Sequence, residues 1–277
     1  MASVSPKPFP RVAFWRDPDI NGLEIRSATY DVVCFPKHTH EGYSIGFVES
    51  GETTAFLRGR TDRVEVEDIV LIHPEEVHAC NPRTGSGWAH RMFYLSEDLM
   101  RDAAEAMEAA YPTQPGFASP VVQDHVLLRL LRGLHLSLAD KKLAPEKEGL
   151  LLDCLAHAFE RYAGLRPKAS GIASGKHIRT IKDWLRAHVA AKVSLAELAQ
   201  ATGLSRYAVL RSFRRATGLT PHAFQSQLRI GRAKHLLAGG APIAQVALDT
   251  GFSDQSHFSN TFRRITGATP RQYQAAL

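Results

Sequence analysis

The chain has 277 residues, of which 44% are hydrophobic and 22% charged, and its formal net charge is +6. This length suits two ordinary domains, and this much apolar sequence excludes wholesale disorder. No run of about 18 apolar residues occurs, which excludes a transmembrane helix. The proline-rich start lacks the apolar stretch of a secretory signal, and three scattered cysteines make no disulfide framework. We therefore expect a soluble cytoplasmic protein with no membrane partner.

The net charge is unevenly distributed along the chain. Residues 176–277 carry 15 Lys and Arg against four Asp and Glu, a net charge of +11, whereas residues 1–175 have a net charge of −5. A basic segment behind an acidic one is typical of a nucleic-acid-binding module joined to another domain. From charge alone, an ordinary solvated basic surface remains the alternative.

Short β-rich runs and turn signals occupy the first third of the chain. The runs are residues 32–35, 43–48, 53–57, 64–66, 69–72 and 92–95. The turn signals fall at residues 50–52, 59, 81–82 and 84–87. Many short strands at regular spacing predict a sandwich or barrel.

The pattern becomes helical after the strands. Helices are predicted over residues 96–110, 119–138 and 146–162. The second has apolar residues at steps of four, a stripe that either covers the barrel or pairs with a second subunit. A small, glycine-rich segment follows and indicates a flexible linker. We predict an N-terminal domain over residues 1–165, a linker over 166–175 and a C-terminal domain over 176–277.

The C-terminal domain contains the same helix-turn-helix unit twice. The sequence Thr-Gly-Leu-Ser around Gly203 corresponds to Thr-Gly-Phe-Ser around Gly251, and a Phe-Arg-Arg-x-Thr-Gly-x-Thr-Pro phrase follows each. The glycines lie 48 residues apart and the closing prolines 49, so one residue is inserted after the second turn. This insertion aligns Ser205 with Asp254, and both are good N-cap residues. A glycine turn between short helices is the helix-turn-helix signature.

The helix boundaries within each unit follow from caps and breakers. Ser194 and Glu197 form a capping box that opens a helix over residues 194–200. Further helices are predicted over residues 206–216, 221–237 and 255–265, and one starting at Pro242. The longest spans about 26 Å, close to one turn of B-DNA.

The second helix of each unit is predicted to have one inward and one outward face. Val209 and Phe213 lie four residues apart, as do Phe258 and Phe262, and these point inward. The outward positions are Tyr207, Arg211, Gln255, Ser256 and Asn260. An arginine there suits guanine, and Asn or Gln suits adenine. The arginines near the helix ends suit phosphates, and they are Arg206, Arg214, Arg215, Arg263 and Arg264.

These segments resemble the DNA-binding domain of the AraC/XylS family of bacterial transcription regulators, from about residue 178 to 273. The matching residues are 194–199, 203–205, 232–233, 243–247, 251–258 and 262–270. The resemblance implies two recognition helices in successive major grooves of double-stranded promoter DNA. By position, the base contacts it implies fall on Tyr207, Leu210, Arg211, Gln255, Ser256 and Asn260.

The family resemblance also implies a cupin barrel as the N-terminal domain. His38-Thr-His40 and residues 73–78 resemble the paired cupin motifs, whose metal-binding members use three histidines and a glutamate. The corresponding histidines are His38, His40 and His78, but the glutamate is missing, and Glu75 replaces the usual glycine. We expect these histidines to line a metal-free pocket without a cofactor. Metal binding and ordinary structural roles are the alternatives.

Other side chains are weaker candidates for the same ligand pocket. An arginine on a strand can bind a ligand carboxylate through two parallel hydrogen bonds, and aromatic residues can form an apolar wall of the pocket. The candidates are Tyr43, Arg58, Trp88 and Arg91, with Arg60 and Tyr94 beside them. The alternative for each is a surface or core role.

Together these features predict a two-domain protein, with an N-terminal all-β cupin-like barrel flanked by helices and a C-terminal all-α double helix-turn-helix. Its expected function is sequence-specific transcription regulation under control of a small-molecule effector, not catalysis. Because members of this family commonly activate transcription and dimerise, we also expect activation, contact with RNA polymerase and a homodimer. One alternative is a metal-dependent cupin enzyme or metal sensor fused to the DNA-binding domain. Another is a ligand-free barrel that serves only to dimerise.

Overall fold

The computed structural model describes residues 11–30, 35–82, 87–106, 116–139, 144–164 and 175–277. The chain divides into two compact units. The first comprises Met1–Cys34, Gly42–His73 and Cys80–Ala163. The second comprises Phe35–Glu41, Pro74–Ala79 and Gly164–Leu277. Most of the strand predicted over 32–35, the turn at 84–87 and nearly all of the linker lie outside the described residues, and the domain boundaries stay a prediction.

Antiparallel β-strands form the core of the first unit. The strands are β1 (Arg11–Arg16), β2 (Leu23–Tyr30), β3 (Tyr43–Gly51), β4 (Thr53–Leu57), β5 (Arg60–Val64), β6 (Ile69–Ile72), β7 (His78–Pro82), β8 (Trp88–Leu95), β9 (Gly116–Phe117), β10 (Val121–Val122) and β11 (Ala163–Gly164). One six-stranded sheet has the order β1-β2-β8-β3-β6-β10, and a three-stranded sheet has the order β5-β4-β7. The β domain expected at the N-terminus is confirmed.

Several strands differ from the sequence prediction. Strands β1 and β2 were not predicted as a pair, although they are joined along six residue pairs. Strand β5 ends at Val64, where a strand was expected to begin, and Asn81–Pro82 lies at the end of β7 instead of in a turn. Pairing with a neighbouring strand fixes these boundaries, and local propensity does not report that pairing.

Three helices are described in the part of the first unit that follows β8, and one of them begins later than predicted. They are α1 (Glu97–Ala106), α2 (His125–Ala139) and α3 (Ala144–Tyr162). The helix expected from Ser119 instead starts with a short strand, because Leu71 donates its N–H to the Pro120 carbonyl at 2.9 Å. Asp124 then caps α2 by accepting the N–H of Leu127 at 3.0 Å. The apolar stripe predicted for this helix is only partly buried.

The second unit contains the remaining helices. They are α4 (Lys176–Ala187), α5 (Leu195–Thr202), α6 (Arg206–Thr217), α7 (Pro221–Ala238), α8 (Ile243–Asp249), α9 (Gln255–Thr266) and α10 (Pro270–Ala275). The predicted boundaries of α5, α6, α7 and α9 agree within two residues. No helix among the described residues is both long and apolar enough to cross a membrane.

The two turn glycines predict a matched pair of stability effects. Gly203 has φ 70° with open space around it, whereas Gly251 has φ 80° and an added Cβ would lie 2.0 Å from the Ala190 carbonyl oxygen. We expect Gly203→Ala to cost about 1–2 kcal/mol, because a side chain there must adopt the left-handed region. Gly251→Ala adds a clash with backbone and should lower the thermal midpoint of the full chain much further. Equal midpoints for the two variants would contradict this account.

Candidate functional site

The first helix-turn-helix is fixed by caps on both of its helices. Ser194 Oγ accepts the N–H of Glu197 at 3.2 Å, while the Glu197 carboxylate accepts the N–H of Ser194 at 2.6 Å. Gly203 ends α5 in the left-handed region. Ser205 Oγ then accepts the N–H of Ala208 at 3.2 Å to start α6. These bonds satisfy free N–H groups at both helix starts and so fix where α5 and α6 begin.

The second helix-turn-helix uses a carboxylate for the same purpose. Asp254 Oδ1 accepts the N–H of His257 at 2.7 Å at the start of α9. This backbone hydrogen bond, with a side-chain bond from Ser253, lowers the pKa of Asp254 below its ordinary value. The residue inserted after the second turn thus places a cap where Ser205 stands in the first unit, as predicted.

Helices α6 and α9 bury one face and expose the other. The inward residues are fully buried, and they are Val209, Phe213, Phe258 and Phe262. The predicted base-contacting residues are exposed except for half-buried Leu210, and they are Tyr207, Leu210, Arg211, Gln255, Ser256 and Asn260. The predicted phosphate-contacting arginines are all exposed, and they are Arg206, Arg214, Arg215, Arg263 and Arg264. Their contacts with DNA stay a prediction.

Contacts made by α7 were missed by the sequence analysis. Gln225 Nε2 donates to the carbonyls of His188 at 2.9 Å and Ala191 at 2.8 Å. Arg229 Nε donates to the Val189 carbonyl at 2.9 Å, and burial lowers the pKa of its guanidinium. These hydrogen bonds hold the loop before α5 against helix α7. The available signal was Gln225 and Arg229 spaced four apart on one helix face.

In the first unit, two predicted pocket residues surround His73. Arg58 Nη2 lies 3.2 Å from His73 Nδ1 and donates to the Phe117 carbonyl at 2.8 Å. The N–H of Phe117 donates to His73 Nε2 at 2.6 Å. The ring of Tyr43 meets that of His73 edge-on, with centroids 6.2 Å apart. The structure thus brings Tyr43 and Arg58 together around a histidine that was not predicted to line the pocket.

A second group of side chains lies on β2 and β8. The ring of Trp88 stacks on that of His90 with centroids 4.1 Å apart, and His90 stacks on Tyr30 at 5.9 Å. Arg26 donates to the Tyr30 hydroxyl. Arg91 follows His90 and so points to the opposite face of β8, where it pairs with Glu49. Trp88 and Arg91, both predicted to line the ligand pocket, therefore lie on opposite faces of β8.

The three motif histidines come together in the second unit. His38 and His78 exchange backbone hydrogen bonds of 2.9 Å in both directions. One ring nitrogen of each of His38, His40 and His78 lies within 4.8 Å of the others. His38 and His78 are buried and His40 is half-buried. Three imidazoles at this separation form a donor set that suits a transition metal.

The two described cysteines are poor candidates for thiol chemistry. Burial raises the pKa of Cys80 to about 12 and that of Cys154 to about 12. A thiol with such a pKa carries almost no reactive thiolate near neutral pH. The third cysteine, Cys34, lies outside the described residues.

Comparison with known proteins connects both units to one family. Residues 198–276 match the family described as helix-turn-helix domain, and residues 21–155 match the AraC-like ligand binding domain. The transcriptional regulator YbfI of Bacillus subtilis is 32% identical over 223 residues, which cover 80% of this chain and 81% of YbfI. This chain belongs to the AraC family of transcriptional regulators.

Other relatives share this AraC-family organisation. The transcriptional activator RhaS of Escherichia coli O81 is 26% identical over 245 residues, which cover 86% of each chain. The crystal structure of ToxT from Vibrio cholerae O395 aligns with a TM-score of 0.60 over 93% of this chain and 99% of ToxT. At 12% sequence identity, the ToxT comparison shows the common fold.

We predict that buried His90 makes the first unit of this AraC-family regulator sensitive to acid. Burial, with the nearby charges of Arg26 and Arg91, holds the pKa of His90 well below its ordinary value of 6.5. Below about pH 6.5, His90 takes up a proton in the unfolded chain but stays neutral in the folded chain. We expect each falling pH unit to lower the free energy of unfolding by up to about 1.4 kcal/mol.

The measurement is the thermal midpoint of the first unit between about pH 7 and pH 5, where unfolded histidine titrates. His90→Phe keeps an aromatic ring between Trp88 and Tyr30 but removes the titrating group. Its midpoint should depend less on pH than that of the unsubstituted chain. Parallel pH profiles for the two proteins would show that His90 is not the responsible group.

Proposed function

We propose that this regulator activates transcription by binding promoter DNA through α6 and α9, under control of a small molecule bound in its N-terminal domain. The main support for DNA binding is that α6 and α9 are both capped helices with similar exposed faces. Each has a buried aromatic side and an outward side bearing polar and basic residues. We expect the protein to act in the cytoplasm, where its promoter DNA would be found.

The dimensions of the second unit support contact with two successive grooves. Helix α7 has 18 residues and a length of about 27 Å. It joins the two helix-turn-helix units, and a turn of B-DNA measures about 34 Å. One chain thereby covers two grooves on one face of the duplex. We assign base contacts to the six outward residues defined above and phosphate contacts to the five arginines.

Two groups of polar side chains in the first unit support the proposed effector site. Arg58 and His73 lie beside Tyr43, and His90 lies beside Trp88. Buried polar atoms such as Trp88 Nε1 and His90 Nδ1 are costly unless they are hydrogen-bonded, and a polar ligand can supply such bonds. We propose that the effector is a small polar molecule recognised by one of these two groups.

Activation and assembly rest on a relative and on a helix surface. RhaS, the curated relative described above, is an activator, which supports activation and contact with RNA polymerase here. Helix α2 exposes Leu136 by 62% and Val126 by 42%. Apolar residues exposed on a helix favour pairing with a second subunit, so we propose that α2 contributes to a homodimer.

An enzymatic role for the N-terminal domain is less well supported. The curated relatives described above are transcriptional regulators, and their similarity extends through both domains. Regulation is therefore the function that the comparisons favour.

The proposed function is tested by selecting duplex DNA from a random pool with the full-length protein. In a footprinting experiment, we expect the protein to protect two segments of the selected site from cleavage, about 10 bp apart, one for each recognition helix. The site is then placed upstream of a weak promoter and reporter gene, in cells with and without the regulator. Expression of the reporter should rise when the regulator is present. Protection of a single segment, or repression of the reporter by the regulator, would contradict the proposal.

A further inference from the structure

We propose that residues 35–41 and 74–79 form an autoinhibitory latch on the helices of the second unit, held chiefly by Glu75. The latch rests on the proposed DNA binding by that unit and does not depend on the identity of the effector. Both segments belong to the second unit, although each continues in sequence into strands of the first. Charged contacts, an apolar contact and the backbone conformation of Glu75 support the latch.

Glu75 makes the main attachment of the latch. Its Oε2 accepts a hydrogen bond from Lys182 Nζ at 2.9 Å, and its Oε1 pairs with the guanidinium of Arg186. Although partial burial raises it, hydrogen bonds and charges from Lys182 and Arg186 hold the pKa of Glu75 below its ordinary value. The carboxylate is therefore ionised near neutral pH, and two charge-assisted contacts join residues 74–79 to helix α4.

Two further contacts attach the latch to α6 and α7. Val77 packs against the apolar cluster of the first helix-turn-helix and borders Gly218, the residue that ends α6. Glu41 lies against α7 at Gly231, where a side chain would overlap its carboxylate, and 3.2 Å from His235 Nε2. The exposed pair of Glu41 and His235 contributes little to stability. Val77, however, places the latch at the C-terminal end of the first recognition helix.

The backbone at Glu75 is strained, and the charged contacts of its side chain offset that strain. Its φ is 58°, in the left-handed region that favours glycine. A glutamate is unfavourable there on backbone grounds, so the two contacts with α4 give a physical reason for this residue type. The N–H of Glu75 also donates to the His40 carbonyl at 2.8 Å, which joins the two latch segments to each other.

The latch opposes DNA binding because it neutralises positive charge on the second unit. Residues 176–192 contain five Lys and Arg against one acidic residue, and Glu75 pairs with two of those five basic side chains. DNA is a polyanion attracted by the same charges, so the closed latch weakens the positive potential that draws DNA to this unit. Because such coupling is reciprocal, DNA bound to the second unit should in turn loosen the latch.

The test compares four full-length proteins on the selected duplex and on an unrelated duplex. They are the unsubstituted chain, Glu75→Gln, Glu75→Gly and the control Glu148→Gln, which makes the same change in net charge at an exposed position on α3. Glu75→Gln removes the charge with little change in size, whereas Glu75→Gly also relieves the backbone strain. DNA affinity is measured at about 50 and about 200 mM salt. Hydrogen exchange is followed in residues 35–41 and 74–79, with and without DNA.

We expect both Glu75 variants to bind both duplexes about three- to tenfold more tightly than the unsubstituted chain at the lower salt, and by a smaller factor at the higher salt. Glu148→Gln should change DNA affinity by less than about twofold. The latch segments should exchange faster in both Glu75 variants, and also in the unsubstituted chain when DNA is added. If Glu75→Gln fails to fold, Glu75→Gly still decides the question.

Three results would overturn the latch while leaving the proposed function intact. They are equal or weaker DNA binding by the Glu75 variants, unchanged exchange in the latch segments, and an equally large gain in affinity for Glu148→Gln. Failure of all four proteins to bind any duplex would instead overturn both the latch and the proposed function.

Discussion

Arg211→Ala should weaken specific DNA binding by roughly 1–3 kcal/mol, about 5- to 150-fold, and relax the preference at a single base pair. Arg211 is exposed on α6, four residues after Tyr207, while the opposite face of that helix is buried. Its guanidinium can donate two hydrogen bonds to one guanine, so its loss affects one base. The measurement is a binding titration with the selected site and with each single-base variant of it.

Arg264→Ala is the matched control for Arg211→Ala. Arg264 is equally an exposed arginine, but it lies in the last turn of α9. A phosphate contact carries no base preference, so binding to all sequences should weaken alike. The slope of log affinity against log salt should fall by about one. Our assignment fails if Arg211→Ala reduces binding to every sequence equally, or if Arg264→Ala affects one sequence only.

Phe262→Ala should destabilise the second helix-turn-helix by about 3–5 kcal/mol. Phe262 is fully buried, and its ring packs edge-on against Phe258 at 5.6 Å and Tyr273 at 5.5 Å. Truncation to alanine removes both contacts and leaves a cavity between α9 and α10. The measurement is chemical unfolding of the full-length protein, followed by helical circular dichroism.

Tyr207→Ala provides the opposite case for an aromatic residue. Tyr207 is 71% exposed on the outward face of α6, so its removal should change stability by less than about 0.5 kcal/mol. DNA affinity should nevertheless fall, because this side chain is placed to reach the groove. A large stability loss in Tyr207→Ala, or none in Phe262→Ala, would show that the two faces have been misassigned.

The helical half of the protein could be predicted closely because its signals are local. Ser194, Ser205 and Asp254 cap helices within three residues of themselves, and the turn glycines need only their own backbone angle. Nothing distant in the chain decides where such a helix begins. The repeat also gives each boundary in one unit a counterpart in the other.

The β half was less predictable because distant segments define it. Pairing with β6 turns Val121–Val122 into a strand, although the local sequence favours a helix start. Lys147 is buried with its ammonium 2.9 Å from Asp17 and 2.6 Å from Asp19, partners some 130 residues away. No local pattern reports an ion pair of that kind.

The strand face that each predicted pocket residue occupies was hard to predict for a related reason. Residue type suggested Tyr43, Arg58, Trp88 and Arg91 as pocket candidates, but strand register decides which face of its strand each occupies. A shift of one residue reverses every side chain of a strand. Arg91 therefore lies on the opposite face from Trp88, and His73 and His90 take positions that were not predicted for them.

Helix α7 contributes to the cores of both helix-turn-helix units. Phe224 belongs to the apolar cluster of the first, and α7 also packs against α8 and α9 of the second. Amide protons in the middle of α7 are thus shielded from two sides, and opening either unit alone leaves one side covered. In hydrogen exchange these amides should be the slowest in the C-terminal half, and their rate should report the simultaneous loss of both units.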